Sequence, residues 1–188
     1  MREPTPSQTV GPFFGYALPF ADGGDLVPPG HPGAITMHGV VHDGAGRPIP
    51  DALLEFWQAD PAGGLDGAPD SMRRDPVTGT FAGRSGVGFT GFGRVATDAD
   101  GHWTLRTLPP GPAAPGALPY ISVCVFARGL LHHLYTRVYL EDGPGDPLLD
   151  SLDADRRATL IARPEPHATY RFDVHLQGSE ETVFLEFG

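Results

Sequence analysis

Eight histidines are the first candidates for chemistry in this sequence. His38 and His42 stand four apart, His132 and His133 adjoin, and the rest are scattered. Strand residues i and i+2 share a face, so His-x-His is the spacing with which one strand chelates a metal. No His-x-His occurs. With His38 and His42 flanking a turn and His132 and His133 pointing to opposite faces of a strand, the histidines read as surface or hydrogen-bonded structural groups. A metal site needs several convergent ligands.

The other reactive types are equally dispersed. No Gly-x-Ser-x-Gly elbow presents a serine nucleophile. Cys124, the single cysteine, lies in an apolar run where thiols are inert, and alone it forms neither an intrachain disulfide nor a Cys-rich zinc site. Asp98/Asp100 and Glu180/Glu181 read as turn and surface acids rather than a glycosidase pair. Lys and Asn are absent, so all 13 basic residues are Arg. Schiff-base lysine, Walker lysine, catalytic asparagine and Asn glycosylation are thereby excluded. A net charge of −10 and a pI near 5.1 argue against nucleic acid or an anionic membrane as the main partner.

The elements that would position any site are short strands. Ile35, Met37, Gly39 and Val41 alternate with polar or small neighbours up to Asp43-Gly44, and Leu53–Gln58 follows, with Glu55 inside it needing a partner or a wet face. Residues 60–90 are loop-rich. Phe92–Thr97, the turn Asp98-Ala-Asp-Gly101 and Trp103–Thr107 read as a hairpin. The nearly continuous apolar run Tyr120–Arg128 suggests a strand covered on both faces. Leu134–Leu140 alternates, as do Tyr170, Phe172, Val174 and Leu176, and Thr182–Phe187 closes the chain. One helix is expected near 147–157, from the spacing of Leu148, Leu149 and Leu152. The 188 residues fit an all-β fold, a β-sandwich at 34–188 with long connections, preceded by a proline-rich arm at 1–33. Gly 26 and Pro 21 make up a quarter of the chain. That level warns of disorder, yet 40% hydrophobic and 10% aromatic residues support a packed core. No signal-peptide run or membrane-spanning stretch is present, so the chain reads as soluble and cytoplasmic.

Six segments, in order, resemble the intradiol ring-cleaving dioxygenases: Thr5-Pro-Ser-Gln-Thr-Val-Gly-Pro-Phe13, Leu54-Glu-Phe-Trp-Gln-Ala-Asp60, Gly91-Phe-Gly-Arg-Val-Ala-Thr-Asp98, Gly101-His-Trp-Thr-Leu-Arg-Thr107, Phe126-Ala-Arg-Gly129 with Thr136-Arg-Val-Tyr139, and Gly178-Ser-Glu-Glu-Thr-Val-Phe184. The resemblance implies an iron enzyme in which two tyrosinates and two histidines hold Fe(III). The counterparts of those ligands here are Leu65 or, with a one-residue gap, Asp66; then Ala113; then Tyr120 and Ser122. The ligand types are lost. The resemblance therefore implies the iron-free alpha type of subunit, with Fe(III) bound by a homologous beta subunit in an alpha–beta hetero-oligomer acting on a small aromatic substrate and O2.

It further implies that Thr9, Gly11, Pro12 and Phe13 of the arm (a tyrosine often stands at the last position) and Arg128 wall a pocket shared with beta. Phe13, Phe14, Tyr16 and Phe20 are then expected to be buried against that partner. Two other readings compete: a non-catalytic binding module of transthyretin-like or carbohydrate-binding type, and a self-sufficient dioxygenase with unusual ligands. The first leaves the arm motif and Trp57-Gln-Ala59 unexplained, and the lack of His-x-His weighs against the second.

Overall fold

The computed structural model describes residues 11–66, 72–84 and 88–186. Its strands are β1 (Ile35–His42), β2 (Leu53–Gln58), β3 (Met72–Arg74), β4 (Phe81–Arg84), β5 (Phe92–Ala96), β6 (His102–Thr107), β7 (Ile121–Phe126), β8 (Leu134–Val138), β9 (Arg163–Glu165), β10 (Thr169–Arg171) and β11 (Val174–His175). The helices are short: α1 (Phe14–Ala17), α2 (Pro147–Asp150) and α3 (Ala154–Ala158). In sheet I, β1 is central, with antiparallel β6 on one edge and parallel β10 and β11 along the other, and β9 beyond β10. Sheet II runs β5-β2-β7-β8, and β3-β4 is a separate ribbon.

Alternation along β1 is strict. Ile35, Met37, Gly39 and Val41 are buried and their neighbours half-buried, as one covered face requires. Met37, Val41, Trp103 and Leu105 of sheet I pack against Leu54, Phe56, Val123 and Val125 of sheet II, the sandwich core. A Cβ at Gly93 on β5 would stand 2.7 Å from Leu26 Cδ1 and 2.8 Å from Leu105 Cδ1. Leu26, from the proline-rich N-terminal part, joins this same core, and Val27 beside it is buried. The Leu26 N–H donates to the Arg106 carbonyl at 2.9 Å.

Several sequence expectations are corrected. The Asp98–Gly101 turn forms, with Asp98 Oδ1 accepting from the N–H groups of Asp100 and His102, both at 2.9 Å. Its two strands, however, join different sheets, β5 with β2 and β6 with β1, so the segment is a corner rather than a hairpin. The apolar run at β7 has one buried face, while Ser122, Cys124 and Phe126 on the other are half-buried. The expected single helix is two, because a second N-cap interrupts it. Asp146 accepts from the Leu148 and Leu149 N–H groups, and Asp153 from that of Arg156. The run Tyr170–Leu176 breaks at Phe172-Asp173. There the Phe172 N–H donates to His38 O at 2.8 Å and Asp173 Oδ1 accepts from Val40 N–H at 3.0 Å. Over 182–186 no strand forms, only a bridge between Leu185 and Tyr135.

The histidines are corrected too. His38 and His42 lie on one strand, four apart, and so share its outer face. His132 and His133 precede β8 instead of lying in a strand, and the His133 ring packs edge-on against Tyr135 at 4.7 Å.

Candidate functional site

The N-terminal segment and the loop after β7 meet across a cavity of about 580 Å³. On one side Gly11, at φ +90°, takes a backbone conformation that side chains disfavour, and its carbonyl accepts weakly from Phe14 N–H at 3.4 Å. Phe14 is buried and pins α1 to the domain. The facing wall is Pro50, Asp51, Ala96, Thr97 and Ala127–Leu130. Gly129, at φ +93°, turns the chain just past Arg128.

Arg128 reaches Asp51 with Nε at 2.6 Å and Nη2 at 2.5 Å, both on Oδ2. Its side chain is 82% exposed, and among the described residues Nη1 has no partner. An ion pair this exposed contributes little stability. Its effect is to hold a planar set of donors at the cavity mouth.

Of the pocket residues inferred from sequence, Gly11, Pro12 and Arg128 line this one cavity. Phe13 is the N-cap of α1, 73% exposed and not part of the lining. Thr9 lies outside the described residues. Asp51 was missed, since 77 residues separate it from Arg128 and nothing in the sequence pairs them. Two of the arm aromatics expected against a partner are covered by the chain itself. Phe14 is buried, and Phe20 is half-buried with the Arg94 guanidinium 5.7 Å from its ring. Tyr16, 90% exposed, and Phe13 remain open. Glu55 finds its partner in the same Arg94, whose Nε donates to Oε1 at 2.7 Å.

A second, smaller cavity of about 60 Å³ gathers Leu65, Ala113, Tyr120 and Ser122 with Trp57, Gln58, Ala59 and Gly111. Asp66 does not line it. Two loops close over it. Gly111 N–H donates to Asp60 O at 2.9 Å, and a Cβ at Gly63 (φ +89°) would stand 2.3 Å from the Pro112 carbonyl oxygen. Gln58 fixes the floor: its amide donates to Leu108 O at 2.8 Å, and its Oε1 accepts from Thr107 Oγ1 at 2.7 Å. The donor chemistry does not fit ferric iron. An isobutyl group, a methyl, one phenol and one primary hydroxyl face the cavity, and the Arg137 guanidinium already stacks 4.0 Å over the Tyr120 ring. Hard anionic oxygens and imidazoles are what such an ion requires.

Cys124 sits beside Glu55 on the outer face of sheet II. Burial, reinforced by the Glu55 charge, pushes its thiol from 9.0 up to about 12. In the unfolded chain the thiol ionises near its ordinary value, so stability is fully present below about pH 9 and is lost as pH rises toward 12. Cys124→Ala should show a shallower alkaline fall in urea midpoint than the parent. Identical slopes would refute the assignment. Labelling by a disulfide reagent near neutral pH should also be far slower in the folded chain than in urea.

A family model described as dioxygenase (Dioxygenase_C) matches residues 11–178. The chain belongs to the intradiol ring-cleavage dioxygenase family. Within it, the chain is 40% identical to the protocatechuate 3,4-dioxygenase alpha chain of Burkholderia cepacia and 36% identical to that of Pseudomonas putida, each alignment covering 97% of this chain and 96% of the relative. The beta chain of the Burkholderia cepacia enzyme is 31% identical over 79% of this chain and 66% of its own length. Among solved structures, the dioxygenase domain of a dioxygenase–carbohydrate-binding fusion from Streptomyces sp. SirexAA-E superimposes with a TM-score of 0.58 at 31% identity, covering 94% of this chain and all of that one. Membership of the dioxygenase family removes the reading as an unrelated binding module. Among the described residues, no helix is long and apolar enough to cross a membrane.

Proposed function

We propose that this chain is the alpha subunit of a cytoplasmic, heteromeric protocatechuate 3,4-dioxygenase. The assembled enzyme opens the ring of protocatechuate, inserting both atoms of O2 to give 3-carboxy-cis,cis-muconate, and the homologous beta subunit holds the Fe(III). The observation that carries this reading is 40% and 36% identity to two alpha chains over 97% of the chain, combined with a cavity at the inferred ligand positions whose side chains do not suit iron. The beta chain's own similarity to this chain supports a pairing of like folds.

This chain's contribution is then the wall of a shared pocket. Gly11 lets the partner's backbone or the substrate come close, and Pro12 fixes the direction of the arm. Thr9 and Phe13 extend the same wall, and Arg128 directs guanidinium donors at anionic groups. Residues 1–33 form the docking arm, with Leu26 as its root in the sandwich at 34–188. Phe13 and Tyr16, exposed here, are covered by beta. The loss of ligands in this chain and the retention of its pocket wall follow from one division of labour.

The test is metal analysis of the chain produced alone and together with its beta partner. The expected result is negligible iron on the isolated chain, and stoichiometric iron with a tyrosinate-to-iron visible band in the co-produced complex. Stoichiometric iron with that band on the isolated chain would overturn the reading.

A further inference from the structure

The outer face of sheet I carries an arrangement that residue spacing conceals. His38 on β1 and His102 on β6 are 64 residues apart in sequence but sit on adjacent antiparallel strands, with His38 Nδ1 3.3 Å from His102 Nε2. Their far nitrogens face carboxylates. His38 Nε2 meets Glu165 Oε2 at 2.9 Å, and His102 Nδ1 lies 4.0 Å from Asp98 Oδ2. His38 is half-buried, its side chain 23% exposed, and the His102 side chain is 40% exposed. Arg171, the register neighbour of His38, is held off by Asp173, which accepts from its Nε at 2.9 and 3.1 Å.

The geometry points to a divalent transition-metal site formed by His38 Nδ1 and His102 Nε2, clipping β1 to β6. Zinc–imidazole bonds of about 2.0–2.1 Å at tetrahedral angles place two ligand nitrogens roughly 3.3–3.4 Å apart, the spacing seen here. A metal-bound histidine characteristically gives its other N–H to a carboxylate, which fixes the tautomer and raises the basicity of the ligand. Glu165 stands in that position for His38, while Asp98, 4.0 Å from His102 Nδ1, lies beyond hydrogen-bond distance on the same side of the ring. When His38 Nε2 donates to Glu165, its Nδ1 turns a lone pair toward His102. With His38 Nδ1 accepting, a neutral His102 places its single proton on Nε2 between the rings. A cation binds there when that proton shifts to His102 Nδ1, the nitrogen on the Asp98 side, so the neutral pair takes up the ion without net proton release. Imidazole donors select zinc, nickel and copper over magnesium or calcium. Among the described residues no three His, Cys, Asp or Glu side chains converge. Water therefore completes the coordination, and the site holds its ion reversibly.

Calorimetric titration of zinc ion into the chelator-stripped full-length chain tests this. One saturable site is expected. His38→Gln and His102→Gln should each weaken it by at least about tenfold, and Glu165→Gln, which removes only the outer carboxylate, by about tenfold. His31→Gln, an exposed loop substitution, should change nothing. Because both ligands lie on the outer face of the sheet and outside the core, the variants should keep the parent's far-ultraviolet circular dichroism. As an independent readout, zinc should raise the thermal midpoint of the parent but not of His102→Gln. Absence of saturable binding at millimolar zinc, or undiminished binding in either histidine variant, would overturn the site.

Discussion

Arg128→Ala in the co-produced alpha–beta enzyme is expected to lower kcat/KM for protocatechuate by about 10- to 100-fold, the range set by hydrogen bonds to a charged group, about 1.5–3 kcal/mol. The geometry explains why the loss should be functional and not structural. Arg128 is largely exposed, and its ion pair with Asp51 engages a single carboxylate oxygen. Removing it should leave the thermal midpoint nearly unchanged, as for other exposed pairs. If Arg128 binds substrate in the ground state, the loss falls mainly on KM; if it acts only in the transition state, kcat falls with it. Arg128→Lys should recover only part of the activity, because a point charge does not reproduce the planar fork. Unchanged kinetics in Arg128→Ala would remove the residue from the shared pocket.

The largest stability effect is expected at Gly39, in the middle of β1. A methyl group there would stand 1.8 Å from the Phe172 carbonyl oxygen and 2.6 Å from its carbon, both backbone atoms that no rotamer change can move. The contact lies where β10 ends and β11 begins, between the Phe172 N–H bond to His38 and the Asp173 bond to Val40. Gly39→Ala must therefore shift this crossing or break those bonds. The cost belongs at or above the upper end for overpacking, about 3 kcal/mol, which lowers the melting temperature by roughly 6–12 °C at this chain length. Gly15→Ala, on α1 with nothing within 4 Å of the added methyl, is the control and should be neutral or slightly stabilising. Equal melting temperatures for Gly39→Ala and the parent would contradict the packing.

β1 was readable because one buried face imposes a period of two, and β2 and β7 because they are apolar runs. β1, β2 and β6 begin and end within a residue or so of their sequence boundaries, whereas β7 stops at Phe126, two residues short of Arg128. What could not be read was partnership. Asp98–Gly101 announces a reversal but carries no information on whether the two arms bond to each other or to different neighbours, and here they part. β9 was invisible for another reason: Arg163-Pro164-Glu165 is exposed throughout and sits at a sheet edge, so no apolar period marks it. The same limit governed the sites. Gly11, Pro12 and Arg128 came from resemblance, and their convergence on one cavity is a property of the folded chain. Asp51 and the His38–His102 pair depend on contacts 77 and 64 residues apart, which no local pattern encodes.

The parallel edge of sheet I also governs when this protein can fold. Val40 bonds to Asp173 across 133 residues, and among the described residues β1 pairs on that side with β10 and β11. On the ribosome, the strand synthesised among the first must wait with one edge open until nearly the last has emerged. Closing such distant pairings is slow, and an open edge invites association with other chains. Yield of soluble chain should therefore depend on the timing of synthesis as well as on final stability.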